Sequence, residues 1–104
     1  MSSFDTQVQR NLMGKRLEKE GRLLEAKALY EANISESFEG SFPYKRLAIL
    51  YRKGKSIDEE IRVLEKAVSV FQLLIETSRK DIHPKLDYFK ERLEKTKLLK
   101  FYKG

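Results

Sequence analysis

Cysteine is absent from the 104 residues. This excludes disulfides, thiolate metal sites and cysteine nucleophiles together, and it agrees with a reducing compartment. Histidine occurs once, as His83 directly before Pro84, a position suited to a loop or helix cap rather than to catalysis. No stretch approaches the ~18 consecutive apolar residues of a membrane span. The longest apolar run surrounds Leu73, Leu74 and Ile75, close behind Ser69 and Gln72. Residues 1–10 are polar and lack the apolar centre of a secretion signal. The expectation is a cytoplasmic chain with no membrane association.

Chemical signatures are equally sparse. There is no phosphate-cradling glycine loop, no His-Glu-x-x-His, no calcium loop and no Gly-x-Ser-x-Gly elbow. The acids sit mostly four residues from bases on helix faces, as in Glu18 with Arg22 and Glu91 with Lys95, rather than isolated in apolar settings as a tuned acid–base pair requires. Asp58, Glu59 and Glu60 suit the first turn of a helix better than a metal site. No enzymatic activity, cofactor or metal is expected.

Five glycines and two prolines punctuate what remains. Gly21, Gly40 with Pro43, Gly54, and Pro84 separate five helical segments, and no stretch alternates as a strand would. The first segment spans about residues 5–20, with Val8, Leu12 or Met13, and Leu17 on its apolar side; Gly21 supplies a left-handed turn at its end. The second spans about 23–34 through Ala26, Leu29, Tyr30 and Ile34. The third starts at Pro43 and carries Tyr44, Leu47, Ala48 and Tyr51 until Gly54 breaks it. The fourth, capped by Ser56 or Asp58, carries two adjacent stripes: Ile57, Ile61, Leu64, Val68, Phe71 and Ile75, then Val63, Ala67, Val70 and Leu74. Such a helix must be covered on two sides. The fifth runs from Pro84 to about Tyr102 through Leu86, Phe89 and Leu93, with Leu98, Phe101 and Tyr102 near an end open to self-association.

The chain matches itself at an offset of 34 residues. Met13-Gly14 falls on Leu47-Ala48, Leu17 on Tyr51, Leu23 on Ile57, Glu25 on Glu59, Tyr30 on Leu64 and Ile34 on Val68. Small residues at Gly14, Ala26 and Ala48 let antiparallel helices approach, while Leu17, Tyr30, Tyr51 and Leu64 fill the wedge between hairpins. With Tyr44-x₂-Leu47-Ala48-x₂-Tyr51 and Ala26-x₃-Tyr30, the chain resembles the tetratricopeptide-repeat family over roughly residues 7–70. The expected fold is all-α: two antiparallel hairpins, about 7–40 and 41–78, stacked with a right-handed twist and closed by a capping helix at about 84–102. Leu17, Tyr30, Leu47, Tyr51, Leu64 and Val68 should be largely buried. Three positions depart from the family pattern. Arg10 replaces a large aromatic, Asn33 replaces an alanine, and Glu60 replaces an alanine in a way that would loosen its hairpin or turn outward.

Charge is the remaining signal: 22 basic against 16 acidic residues, net +6. Residues 40–57 contain no acid but hold Lys45, Arg46, Arg52, Lys53 and Lys55. The resemblance implies that the first helix of each hairpin lines a concave groove. By position the lining is Val8, Asn11, Lys15 and Glu18, then Phe42, Lys45, Ile49 and Arg52. That mixed basic and apolar surface suits an acidic or amphipathic segment of a partner protein. Arg46 stands where a clamp for terminal carboxylates would place asparagine, so no such clamp is expected. The groove reading further implies that removing Lys45 and Arg52 together leaves the fold intact. Two alternatives stand beside it. One is nucleic-acid binding by the basic third and fifth helices, although the aromatics of the fifth are expected to pack inward. The other is self-association, as monomer or homodimer.

Overall fold

Helix ends show most directly how this sequence folds. The computed structural model describes residues 3–103; Met1, Ser2 and Gly104 lie outside the described residues. Five helices follow one another: α1 (Phe4–Lys19), α2 (Leu23–Ser35), α3 (Phe42–Lys53), α4 (Ile57–Leu73) and α5 (Ile82–Lys103). Among the described residues there is no strand, and no helix is long and apolar enough to cross a membrane. Ser3 caps α1, its hydroxyl accepting from the Thr6 amide at 3.2 Å.

The first three helices all end in the same way. Beyond α1, the Arg22 amide reaches back to the Leu17 carbonyl (2.9 Å) and Gly21 to Glu18 (3.0 Å). Beyond α2, Phe38 reaches Asn33 (3.1 Å) and Ser37 reaches Ile34 (2.9 Å). Beyond α3, Ser56 reaches Tyr51 (2.8 Å) and Lys55 reaches Arg52 (3.0 Å). Each pair of bonds satisfies two orphan carbonyls and requires one left-handed residue. Those residues are Gly21 (φ 76°), Ser37 (φ 57°) and Lys55 (φ 60°). Gly54 has an ordinary φ of −83°, so the break after α3 is made by Lys55. Gly21 and Lys55 stand 34 positions apart, the offset of the self-match.

Each helix packs chiefly on its neighbours in sequence: α1 on α2, α2 on α3, α3 on α4, and α4 on α5. The product is a slab of 41 × 38 × 20 Å. Its centre is an aromatic cluster, Tyr44 edge-on to Phe71 (5.9 Å) and Phe89 (6.0 Å), with the latter two stacked at 5.7 Å. All three rings are fully buried, and each contributes about 1.5–3 kcal/mol of burial. The Tyr44 hydroxyl donates to the Phe38 carbonyl (2.7 Å), tying the α2–α3 loop to this core.

Several expectations need correction. Tyr51 and Val68 are only half-buried, while Leu17, Tyr30, Leu47 and Leu64 are buried. Leu12 and Met13 are 56% and 42% exposed, because α1 is the outermost helix and no element covers that side. Helix α5 begins at Ile82, so His83 and Pro84 lie within its first turn, where a missing amide donor costs nothing. Ile82 is fully buried and belongs to the core. Helix α3 likewise begins one residue before Pro43. Helix α4 stops at Leu73, but Leu74 and Ile75 still pack against the core.

Glycine spacing makes a two-sided prediction. A Cβ on Gly14 would lie 2.5 Å from Cε1 and 2.7 Å from Cζ of the buried Tyr30 ring. Gly14→Ala should therefore destabilise by about 1–3 kcal/mol, although alanine favours helix. A Cβ on Gly54 meets nothing closer than the Leu50 carbonyl at 3.5 Å, so Gly54→Ala should stabilise by up to ~1 kcal/mol. Thermal melts of the two variants should move in opposite directions.

Candidate partner-binding groove

Helices α1, α3 and α5 are joined side by side by polar contacts. Between α1 and α3, Glu18 accepts from Arg46 Nε (3.0 Å) and Nη2, and from the Tyr30 hydroxyl (2.6 Å). Burial opposes ionisation of Glu18, but the bonds from Arg46 and Tyr30 and the charge of Arg46 outweigh it and hold its carboxyl below the usual value. Between α3 and α5, Lys45 Nζ stands 4.4 Å over the Tyr88 ring, and Arg52 donates to Thr96 (3.1 Å).

The structure divides the eight groove positions between two places. Lys15, Glu18 and Phe42 come together with Lys19 and Arg46 around a shallow cavity of about 260 Å³. There Phe42 is half-buried with its ring edge-on to Tyr30 at 5.8 Å, and Lys15 is exposed. Lys45 and Arg52 instead face α5. Ile49 and Val8 are half-buried. Asn11 is turned inward, its Oδ1 accepting from Asn33 Nδ2 at 2.8 Å.

Arg52 needs the largest correction. Its Nε and Nη2 grip both oxygens of Glu60 at 2.6 and 2.8 Å, and the Glu60 side chain has no exposed surface. Arg92 approaches the same carboxylate at 3.5 Å, and the Thr96 hydroxyl at 3.1 Å. Glu60 neither loosens its hairpin nor turns outward; it is the buried anion joining α3, α4 and α5. A buried charge with its partners is tolerated, whereas removing one partner is severe. Arg52 is therefore structural, and the expectation that it can be removed without loss of fold fails.

The other departures also answer each other. Arg10 Nη1 donates to Asn33 Oδ1 (3.0 Å) and to Glu36 (2.9 Å). Asn33, fully buried, donates to the Gln7 carbonyl at 2.8 Å. An aromatic–alanine contact is thus replaced by a hydrogen-bonded one.

Two groove residues were not in the sequence-derived set, Tyr88 and Arg92. Arg92 Nη1 donates to the Tyr88 hydroxyl at 3.2 Å, and Tyr88 is 36% exposed. The signal was available: Tyr88 and Arg92 stand four apart, each one residue before the buried Phe89 and Leu93, on the flank of that stripe. Phe101 and Tyr102 are 79% and 82% exposed, so the aromatics of α5 beyond Phe89 do not pack inward. The three acids opening α4 diverge, Asp58 to Lys100, Glu59 to Arg62 and Glu60 to Arg52. Among the described residues no three acids or histidines converge to hold a metal ion.

No protein-family model matches the chain, and no curated protein or solved structure is similar to it.

The buried carboxylate predicts an asymmetry between two lysine-and-arginine positions that looked alike in sequence. Arg52→Ala should cost about 3 kcal/mol, lowering the melting temperature by more than about 10 °C. Lys45→Ala, which loses only a cation–aromatic contact, should cost less than about 1 kcal/mol. Calorimetry of both variants checks the order.

Alkaline titration supplies a second check. Burial and the bond to Glu31 push the Tyr51 hydroxyl up to about 12. Because its folded value lies above the unfolded value of about 10, the associated stability is complete below pH ~10 and is lost as pH rises through ~12. Tyrosinate absorbance should show this residue ionising late, and earlier in Glu31→Gln.

Proposed function

We propose that this chain is a non-catalytic interaction module of tetratricopeptide-repeat type, which takes an acidic, amphipathic segment of a partner protein along the face formed by α1, α3 and α5. Support for the repeat architecture comes from the neighbour-to-neighbour helix packing and from the left-handed turns at Gly21 and Lys55. Contacts linking α1 to α3 and α3 to α5 support these three helices as one lining.

The observation that carries the reading is how the charges on this face are spent. Glu18 is committed to Arg46 and Glu60 to Arg52. Among the described residues, Lys15, Lys19, Lys45 and Lys53 make no ion pair. Acids on the face are consumed internally and cations are left over, with Phe42 and Ile49 as half-buried apolar ground between them. Such a surface attracts an acidic segment and gives its apolar side chains somewhere to rest.

A second reading, single-stranded nucleic acid lying along α5, draws on the exposed Phe101 and Tyr102 among lysines. Salt separates the two. A peptide alternating acidic and apolar residues should bind, weakening mildly between low and moderate salt, whereas binding of an oligonucleotide should be weaker and fall steeply. Reversing two exposed lysines, Lys15→Glu with Lys53→Glu, should abolish peptide binding and leave the melt within a few degrees. Anisotropy titrations measure both. Retention of full affinity in the double variant would move the partner to another face.

A further inference from the structure

Around Glu60 the charge does not balance. Two guanidiniums, Arg52 and Arg92, face its single carboxylate, and Lys45 joins them through Tyr88, which it shares with Arg92. The cluster therefore holds three cations and one anion. The distribution of exposure is as uneven as the count. Glu60 has no exposed side-chain surface, while Arg52 and Arg92 are 39% and 29% exposed and Lys45 is half-buried. The anion lies beneath the cations, and what reaches solvent is positive.

Hydrogen-bond capacity points the same way. A carboxylate accepts about four bonds. Glu60 already takes two from Arg52, one from Thr96, and the approach of Arg92. Two guanidiniums and an ammonium carry far more N–H groups than that. The surplus donors on Arg52, Arg92 and Lys45 have no acceptor beneath them and open outward. The Tyr88 ring fixes Lys45 on one side and receives Arg92 on its hydroxyl, so the cations are held in place before a ligand arrives.

We propose that Lys45, Arg52 and Arg92 form one oxyanion subsite, which seats an aspartate or glutamate carboxylate of the partner segment against Tyr88. The partner assignment rests on the groove reading above; the subsite rests on the cluster itself. Within the groove it is the point where an acidic side chain meets forked and point-charge donors together, as bidentate recognition requires.

The test uses the full chain and two probes, inorganic phosphate at constant ionic strength and a capped amphipathic peptide with one glutamate, alongside its glutamine counterpart. Phosphate should shift the Tyr88 ring resonances saturably. Lys45→Gln should weaken phosphate and peptide binding by roughly fivefold, the loss of one partly screened charge. Glu60→Gln removes the buried counter-charge while keeping its shape, and it should tighten phosphate binding; a role limited to holding the helices together predicts no gain. If Glu60→Gln fails to fold, Lys45→Gln still decides. Phosphate that leaves Tyr88 unmoved, or that binds Lys45→Gln as it binds the parent, overturns the subsite. Equal peptide affinity in parent and Lys45→Gln overturns the subsite and leaves the groove reading standing. Saturable phosphate binding by the parent, weakened in Lys45→Gln, with no peptide binding upholds the subsite and overturns the groove reading.

Discussion

A charge with no access to water has to be answered, and the answer organises the second half of this molecule. The Glu60 carboxylate stands on α4 in a position that a helical hairpin would normally fill with a small apolar side chain. Its partners come from α3 through Arg52 and from α5 through Arg92 and Thr96. Apolar packing of Tyr44, Phe71 and Phe89 would hold these three helices together in many relative rotations. The ion cluster admits few, because a guanidinium fork meets both oxygens of a carboxylate in one plane only. The stabilisation is modest once desolvation is counted; the larger effect is on which arrangement is adopted. The cation-rich face is a by-product of this solution, since the residues that neutralise Glu60 must reach it from the groove side.

How far the fold was legible follows from the range of the forces involved. The two stripes of α4 were readable because a 3.6-residue period appears in the order of the residues alone, and α3 and α5 do cover it on both sides. Gly21 was readable for the same local reason: a glycine after an apolar stripe marks a left-handed turn, and its φ is 76°. Gly54 misled because the identical turn uses the neighbouring Lys55, which tolerates φ of 60° at a cost that glycine would avoid. In α1, periodicity could not reveal that Leu12 and Met13 have no neighbour, since an end of a stack looks in sequence like its middle.

The candidate site was less legible, and for a single reason. Lys45, Arg46, Arg52 and Lys53 are alike as letters, and their roles differ only through what lies opposite. Arg46 is claimed by Glu18 of an earlier helix, Arg52 by Glu60 of a later one, and Lys45 by the ring of Tyr88. Each departure from the repeat pattern read as a defect in isolation. Arg10 with Asn33, and Glu60 with Arg52, are substitutions that make sense only as pairs.

Because every helix rests chiefly on the one before and the one after it, this chain has no long-range closure to wait for. Its contacts form over short stretches of sequence, which favours rapid folding. Cooperativity must then pass from helix to helix as along a row of linked units. Such a row opens from its ends. Helix α1, exposed along its outer side, can part from α2 while the Tyr44–Phe71–Phe89 centre persists, and amide exchange would be fastest in α1 and slowest in α3 and α4. At the other end, detaching α5 would strip Glu60 of Arg92 and Thr96 together. The two ends of one small slab are thus held by different physics, one by apolar contact that loosens gradually, the other by a buried ion cluster that is either whole or broken.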